Sequence, residues 1–364
     1  MIQQQQKQHQ ITSFQLIFIV AGIQIGVGIL SLYRVTFEAG AGTDAWMGVL
    51  LAWFIAQIAI FLIVHLCSIF PEDSLIDYSS KILGRVLGWL LSFTVLGYFL
   101  GAAAIISRTF AEVLQVWTLQ KTPIPVLISL TLIPSLYLIL LGIKAFARFA
   151  MVILLLTWWL LLTLVIPLKQ GDILNMLPIG HAPLPGIISA ALATSLAMIG
   201  YELILLFYPF IDRKRDVLLS ASIGNGLTGL AYIFNVVTAA IFFSPADVPN
   251  QMWPSLQLLK VIQFSFLQRV ESIVLSFWLL LVVVTVAGYY WASAFSLYKL
   301  INMKSFKLSA VVMAPIIFIV SLLPRDINQV TDIGDKIGTA GLILSFSIPI
   351  LLLTVRYLKK WRSK

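Results

Sequence analysis

Apolar residues in this chain run in long blocks with few charges, separated by short polar stretches. A helix needs about 20 mostly apolar residues to cross a bilayer. On that criterion the pattern predicts ten spans: 12–33, 44–68, 86–116, 123–142, 146–168, 186–209, 217–243, 271–300, 308–323 and 338–357. The third and eighth are long enough to tilt or to extend past the bilayer. Two further stretches are amphipathic and too polar to span. "PSLQLLKVIQFSFLQ", between spans 7 and 8, is expected along the outer surface, and "DSLIDYSSKILGRVLG", before span 3, along the opposite one. The expected fold class is an all-α membrane protein. It is one permease-like domain over 1–364, with a tail over 1–11, a first repeat over 12–168 and a second over 186–357.

Composition supports lipid as the solvent. Only 11% of residues are charged, against roughly 25% in a soluble domain. The net charge of +9 would suit nucleic acid, but its placement reads as topology. With the N-terminus inside, sixteen of the 24 Lys and Arg residues fall in inner segments and seven in outer ones, with Arg108 inside span 3. Basic inner loops set orientation, so both termini are expected in the cytoplasm and no nucleic-acid partner is expected. The apolar run after the polar start is too long for a signal peptide and is read as a retained helix. The single Cys67 excludes an internal disulfide. There is no HExxH pattern, nucleophile elbow, phosphate loop or dinucleotide fingerprint. No enzymatic activity, metal or cofactor is expected.

One stretch runs against the pattern. "GIQIGVGIL", Gly22 to Leu30, places three glycines within seven residues of span 1. Glycine weakens a helix interior by about 1 kcal/mol relative to alanine. At about 1.5 Å per residue, Gly26 lies roughly 21 Å into the span. Two readings stand. The glycines allow close helix packing, or the helix breaks there, which is tolerated only where backbone is buried in protein or lines a cavity.

Span 6, "ALATSLAMIGYELILLFYPF", has Thr194, Ser195, Gly200 and Glu202 in an otherwise apolar run. A carboxylate at mid-membrane costs at least ~2.5 kcal/mol, which makes Glu202 a functional candidate; the alternative is a neutral, hydrogen-bonded structural residue. Spans 1 and 6 open two sets of five. An odd count per set inverts the second, and paired interruptions in matching helices point to the substrate site of such a repeat. N–H groups at a break favour a carboxylate and carbonyls favour an ammonium, so the site suits an amino acid zwitterion.

Other residues carry two readings each. Arg108 and Glu112, at i and i+4 toward the outer end of span 3, are within pairing reach; they gate an outer vestibule or neutralise each other. Tyr98 and Tyr289 lie near the depth of the breaks, as site lining or as packing. Thr285, Ser293 and Ser296 in span 8 are sodium ligands or ordinary helix hydroxyls. His65 reads as interfacial, and Trp117, Trp253 and Trp361 as interfacial anchors.

"GIQIGVGIL" and "MIGYE" resemble the first- and sixth-helix motifs of the amino acid–polyamine–organocation transporters. More narrowly, "TDAWMGVLLAW", "FPEDSLIDYSSKILGRVLGWLLSFTVLGYFL" and "LQKTPIPVLISL" resemble the permease-like B subunit of bacterial spore germinant receptors. The resemblance covers nearly the whole chain and rests on the order and spacing of loose motifs. It implies a five-plus-five inverted repeat with broken spans 1 and 6 in the spore inner membrane. A larger A subunit and a lipoprotein C subunit are the implied partners, and a small germinant, commonly an amino acid, the ligand. The implied site residues are Gly26, Val27, Gly28, Met198, Ile199, Gly200, Tyr201 and Glu202. Span 5 lacks the mid-helix lysine of some related transporters. Two functions remain open: a receptor subunit that signals to partners, and an autonomous amino acid transporter.

Overall fold

The computed structural model describes residues 10–262 and 270–362. Helices dominate. Six are long and apolar enough to cross a membrane, among them Arg85–Trp117, Val270–Leu300 and Ile327–Trp361. Spans 1, 4, 6 and 9 are built from shorter apolar helices, so all ten predicted spans are present. The protein is a multi-pass membrane protein with five spans in each of two inverted sets. Spans 3 and 8 pack along each other at the centre.

Spans 1 and 6 are interrupted. In span 1 the helix Ser13–Gln24 ends, Ile25 adopts φ −76° and ψ 71°, and a short turn at Gly28–Leu30 leads into Leu32–Thr36. In span 6 the helices Leu184–Ala193 and Ser195–Met198 end at Ile199. Gly200 follows with φ +132°, a conformation that residues with a Cβ rarely adopt, and helix resumes at Tyr201.

The breaks touch. A Cβ on Gly28 would lie 2.6 Å from Ala197 Cα, and one on Gly200 would lie 2.8 Å from Ile23 Cγ2. Both readings of the span 1 glycines therefore hold together: Gly28 sits at a break and also brings span 1 onto the backbone of span 6.

Three expectations need correction. Span 10 begins at Ile327, eleven residues before the predicted 338. Its early turns carry Asp332, Asp335 and Lys336, which hid it from a hydropathy reading. They are supported by protein, since a Cβ on Gly338 would lie 2.5 Å from Leu196 N. The amphipathic stretch after span 7 forms a helix over Pro254–Lys260. It is seated against the span 1 break, with Ser255 Oγ donating to Ile29 O at 2.8 Å; positions 263–268 of that stretch lie outside the described residues. Trp253, expected as an interfacial anchor, is buried in the lining of a cleft.

The other amphipathic stretch forms the expected surface helix, Leu75–Leu83. A capping box joins Ser74 and Asp77 at its start. Lys299, at the end of span 8, pairs with Asp77 at 3.1 Å. Burial pushes the Asp77 carboxyl up, but the Ser74 hydroxyl and N–H together with Lys299 outweigh it and hold it below the usual range.

At the end of the bundle bearing the N-terminus, the chain before span 1 is strapped to the end of span 6. Ile11 N donates to Phe210 O at 2.8 Å and Asp212 N donates to Ile11 O at 3.0 Å. Ser13 N donates to the Asp212 carboxylate at 2.9 Å, and Ile11 is fully buried.

Candidate ligand-binding site

Two openings flank the breaks. At the end opposite the N-terminus, a cleft partly open to solvent reaches down to Gly28 and Ala197. Arg34, Glu112 and Asp335 bring charge to its wall, with Trp253 beside them. Below it lies a smaller cavity lined by Gln24, Gly26, Val27, Gly28, Ile199 and Tyr289, with Ile106, Leu196 and Thr285 completing the wall. The cavity has room for about one water-sized sphere. Gly28 and Leu196 line both spaces and form the partition between them.

Breaking a helix frees carbonyls, and side chains from spans 7 and 8 take them up. Trp278 Nε1 donates to Gly26 O at 3.2 Å. Tyr232 donates its hydroxyl to Gln24 O at 2.6 Å and lies 3.0 Å from Ala197 O. Thr285 Oγ1 lies 3.2–3.3 Å from Gly22 O, Ile23 O and Leu281 O. Met198 O accepts from Gln24 Nε2 at 2.9 Å. These carbonyls are thus already capped. On the donor side, the N–H groups of Val27 and Gly28 have no acceptor among the described residues.

Glu202 is the centre of a second construction. It is 2% exposed. Its Oε1 accepts from the hydroxyls of Tyr98 at 2.7 Å and Tyr289 at 2.8 Å, and its Oε2 from Gly200 N at 2.7 Å. The carboxylate folds back on the span 6 break and ties it to spans 3 and 8. The two tyrosine rings meet edge to face, 6.4 Å between centroids. A fourth element closes the knot: a Cβ on Gly341 of span 10 would lie 2.3 Å from the Tyr98 hydroxyl. Its oxygens are occupied by groups of the protein, and no Lys or Arg pairs with it among the described residues.

The structure brings most of the predicted residues into this layer but sorts them. Gly26, Val27, Gly28, Ile199 and Tyr289 line the smaller cavity. Tyr98, Tyr289, Gly200 and Glu202 form the knot. Met198 and Tyr201, with Ile199, line a separate small space against Ala52 and Ala56 of span 2. Arg108 and Glu112 pair as expected: the Arg108 Nε and Nη2 donate to Glu112 Oε1 at 2.9 and 2.7 Å. Both are buried, and Glu112 is part of the cleft wall. In span 8, Thr285 meets the span 1 break, whereas Ser293 donates to Tyr290 O.

Sequence reasoning missed an array of amides. Gln24 Nε2 also donates to Asn225 Oδ1 at 3.2 Å. Asn225 Nδ2 donates to Gln57 Oε1 at 3.1 Å, and Gln57 Nε2 to Ser222 Oγ at 2.7 Å. The signal was present. Gln24 stands inside the glycine-rich stretch, and Gln57 and Asn225 interrupt apolar spans that offer such groups no water.

Comparisons with known proteins agree with this architecture. Spore germination protein GerQB of Bacillus cereus is 26% identical over 347 residues, covering 95% of this chain and 96% of that protein. Spore germination protein A2 of Bacillus subtilis is 28% identical over 360 residues, covering 98% of each. Among solved structures, Mhp1 is a nucleobase-cation-symport-1 family transporter solved with bromovinylhydantoin bound. It matches with a TM-score of 0.65 at 13% identity, over 94% of this chain and 78% of that one. MhsT in complex with L-phenylalanine matches at 0.63 and 16%, over 94% and 98%. At such identities the likeness is one of fold, that of membrane transporters. The spore germination protein family matches residues 10–330, and this chain belongs to it.

Proposed function

We propose that this chain is the permease-like membrane subunit of a spore germinant receptor. It binds a small germinant, an amino acid, between the broken spans and signals to partner subunits, a larger A subunit and a lipoprotein C subunit. The observation that carries the reading is the cavity where the two breaks meet, with Gly28 and Leu196 between it and the cleft. In this reading the cleft faces outward and the Ile11–Ile211 strap faces the cytoplasm, with both termini there, and the membrane is the spore inner membrane. Gly26, Val27, Gly28, Ile199 and Tyr289 line the ligand, and the free N–H groups of Val27 and Gly28 receive its carboxylate. The Glu202 knot with Tyr98 and Gly200 holds the span 6 break. Met198 and Tyr201 support that break from the side of span 2. Arg108 and Glu112 control the cleft.

The transporter fold shared with Mhp1 and MhsT supports a second reading, an autonomous amino acid transporter. One experiment separates the two. The purified protein in liposomes is given each radiolabelled L-amino acid, and bound and internalised label are measured on the same sample. Saturable binding without accumulation is expected. Accumulation would favour the transporter, and absence of binding for all twenty would remove the amino acid reading.

A further inference from the structure

Gln24 is 2% exposed and lines the smaller cavity at the breaks. Its Nε2 end is held twice, by Met198 O at 2.9 Å and Asn225 Oδ1 at 3.2 Å. Its Oε1 is buried and has no hydrogen-bond partner. Exchanging the two ends of the amide does not remove the problem. Met198 O is a carbonyl and accepts only, so the NH2 end must face it. The neighbouring amides leave no slack. Asn225 offers Gln24 its oxygen because its own NH2 is committed to Gln57, and Gln57 donates in turn to Ser222. The array is directed, with every amide donating away from the cavity, and it ends at the cavity on one vacant acceptor.

A buried acceptor left empty costs about 1–3 kcal/mol. Several other acceptors at the breaks are occupied. Gly26 O, Gln24 O and Met198 O are capped, and Glu202 accepts from two tyrosines and Gly200 N. The vacant side-chain oxygen calls for a donor, and the ammonium is the amino acid group that only donates. Apart from the free N–H groups of Val27 and Gly28, the cavity wall is apolar or already hydrogen-bonded, and it leaves little room for a side chain.

Resting on the amino acid reading above, we propose that Gln24 Oε1 is the acceptor for the ammonium group of a short-side-chain amino acid, and that Gln24, with Asn225 and Gln57 fixing its orientation, sets ligand specificity. The cavity must widen to admit the ligand. Ile199 beside the span 6 break, and Leu196 in the partition, are the wall residues placed to move.

The test crosses a protein change with a ligand change. Purified protein in nanodiscs is titrated calorimetrically with the twenty L-amino acids. The tightest binder is then compared with its deaminated counterpart, in which hydrogen replaces the ammonium. In the wild type, deamination is expected to weaken binding about tenfold or more, the worth of one buried hydrogen bond to a charged donor. In Gln24→Met the amino acid itself binds about tenfold more weakly, and the ratio between the two ligands falls to within about threefold. Gln24→Glu keeps an acceptor oxygen toward the cavity, while its other oxygen meets Met198 O and Asn225 Oδ1; both ligands weaken alike, and the ratio between them stays at about tenfold or more. An unchanged ligand ratio in a folded Gln24→Met, or a ratio in Gln24→Glu that falls as far as in Gln24→Met, overturns the proposal; the former would leave Oε1 to a trapped water while amino acid binding stands. If no amino acid binds the wild type, the ligand reading and this proposal fall together. Should Gln24→Met be aggregated on size exclusion, the Gln24→Glu arm alone decides.

Discussion

Glu202 and Gln24 lie in the same buried layer, each beside a helix break, and they differ in one respect. Every oxygen of the glutamate is occupied by groups of the protein itself, whereas the glutamine keeps one oxygen vacant. Glu202 is the more expensive residue to place in a membrane, and expense alone marks it for function. Its partners show where that expense is offset, in joining span 6 to spans 3 and 8. The cheaper residue is the one with something left to bind. In a buried polar layer, the unsatisfied atom points to a ligand more directly than the charged one.

The largest expected effect comes from removing the knot. Glu202→Ala strands two tyrosine hydroxyls and Gly200 N–H at about 1–3 kcal/mol each. A loss of about 3–5 kcal/mol is expected, seen as a collapse in melting temperature in detergent and in membrane abundance. Glu202→Gln is milder but not silent. Its oxygen can accept from Gly200 N–H while its NH2 faces the two tyrosine hydroxyls, which must turn their protons away within a buried site, for about 1–3 kcal/mol. A melting temperature unchanged in both variants would show that the knot holds nothing, and the comparison would fail.

Next is the contact between the breaks. Gly28→Ala places a methyl group 2.6 Å from Ala197 Cα, backbone that cannot step aside. A destabilisation of about 1–3 kcal/mol is expected, with ligand binding reduced alongside. Gly26→Ala meets Thr285 Oγ1 at 3.2 Å, a side chain that can yield, and should cost under about 1 kcal/mol. Equal melting temperatures for the two would overturn this ranking.

Tyr98→Phe and Tyr289→Phe each remove one of two donors to the same oxygen. Each should cost about 1 kcal/mol, and the double variant more than the sum, because the last donor to Oε1 then goes. Strict additivity would mean that the two tyrosines act independently of the shared carboxylate.

The smallest effect lies outside the membrane layer. The Asp77 carboxyl is held below its unfolded value. A depressed carboxylate contributes stability that is present above the unfolded pKa, about 3.9, and is lost as pH falls through the folded pKa. The pair with Lys299 is partly exposed, so the contribution is under about 1 kcal/mol. Asp77→Asn should flatten the melting temperature between pH 5 and pH 3 without altering ligand binding; an unchanged acid slope would remove the pair from the account.

Much of this was legible in the chain. Hydrophobic runs marked the ten spans, and glycines marked both breaks, because a bilayer leaves no other solvent for exposed backbone. The i, i+4 spacing of Arg108 and Glu112 gave their pairing. The start of span 10 was hidden because its polar turns lean on protein rather than lipid, and hydropathy cannot separate those environments. The capping of the break by Trp278, Tyr232 and Thr285 was also hidden, since partners more than two hundred residues away leave no local pattern. Gln24 stood in plain view inside the stretch that raised the question of the break. Glycines drew attention to conformation, and the one polar side chain among them carried no charge to mark it.

The caps on the span 1 break also bear on time. A helix interruption is easily pictured as a loose joint, yet here Trp278, Tyr232 and Thr285, from two other spans, hold its carbonyls. Moving span 1 means releasing these partners while they are still buried, at about 1–3 kcal/mol apiece. If three are undone together, the barrier rises by roughly 3–9 kcal/mol, and each 1.4 kcal/mol slows the step about tenfold. Spontaneous opening thereby becomes two to six orders of magnitude rarer than for an uncapped joint. On the receptor reading, a dormant cell needs a sensor with a low rate of firing unprompted, and that rate would be set by three side chains of which only Thr285 lines the cavity.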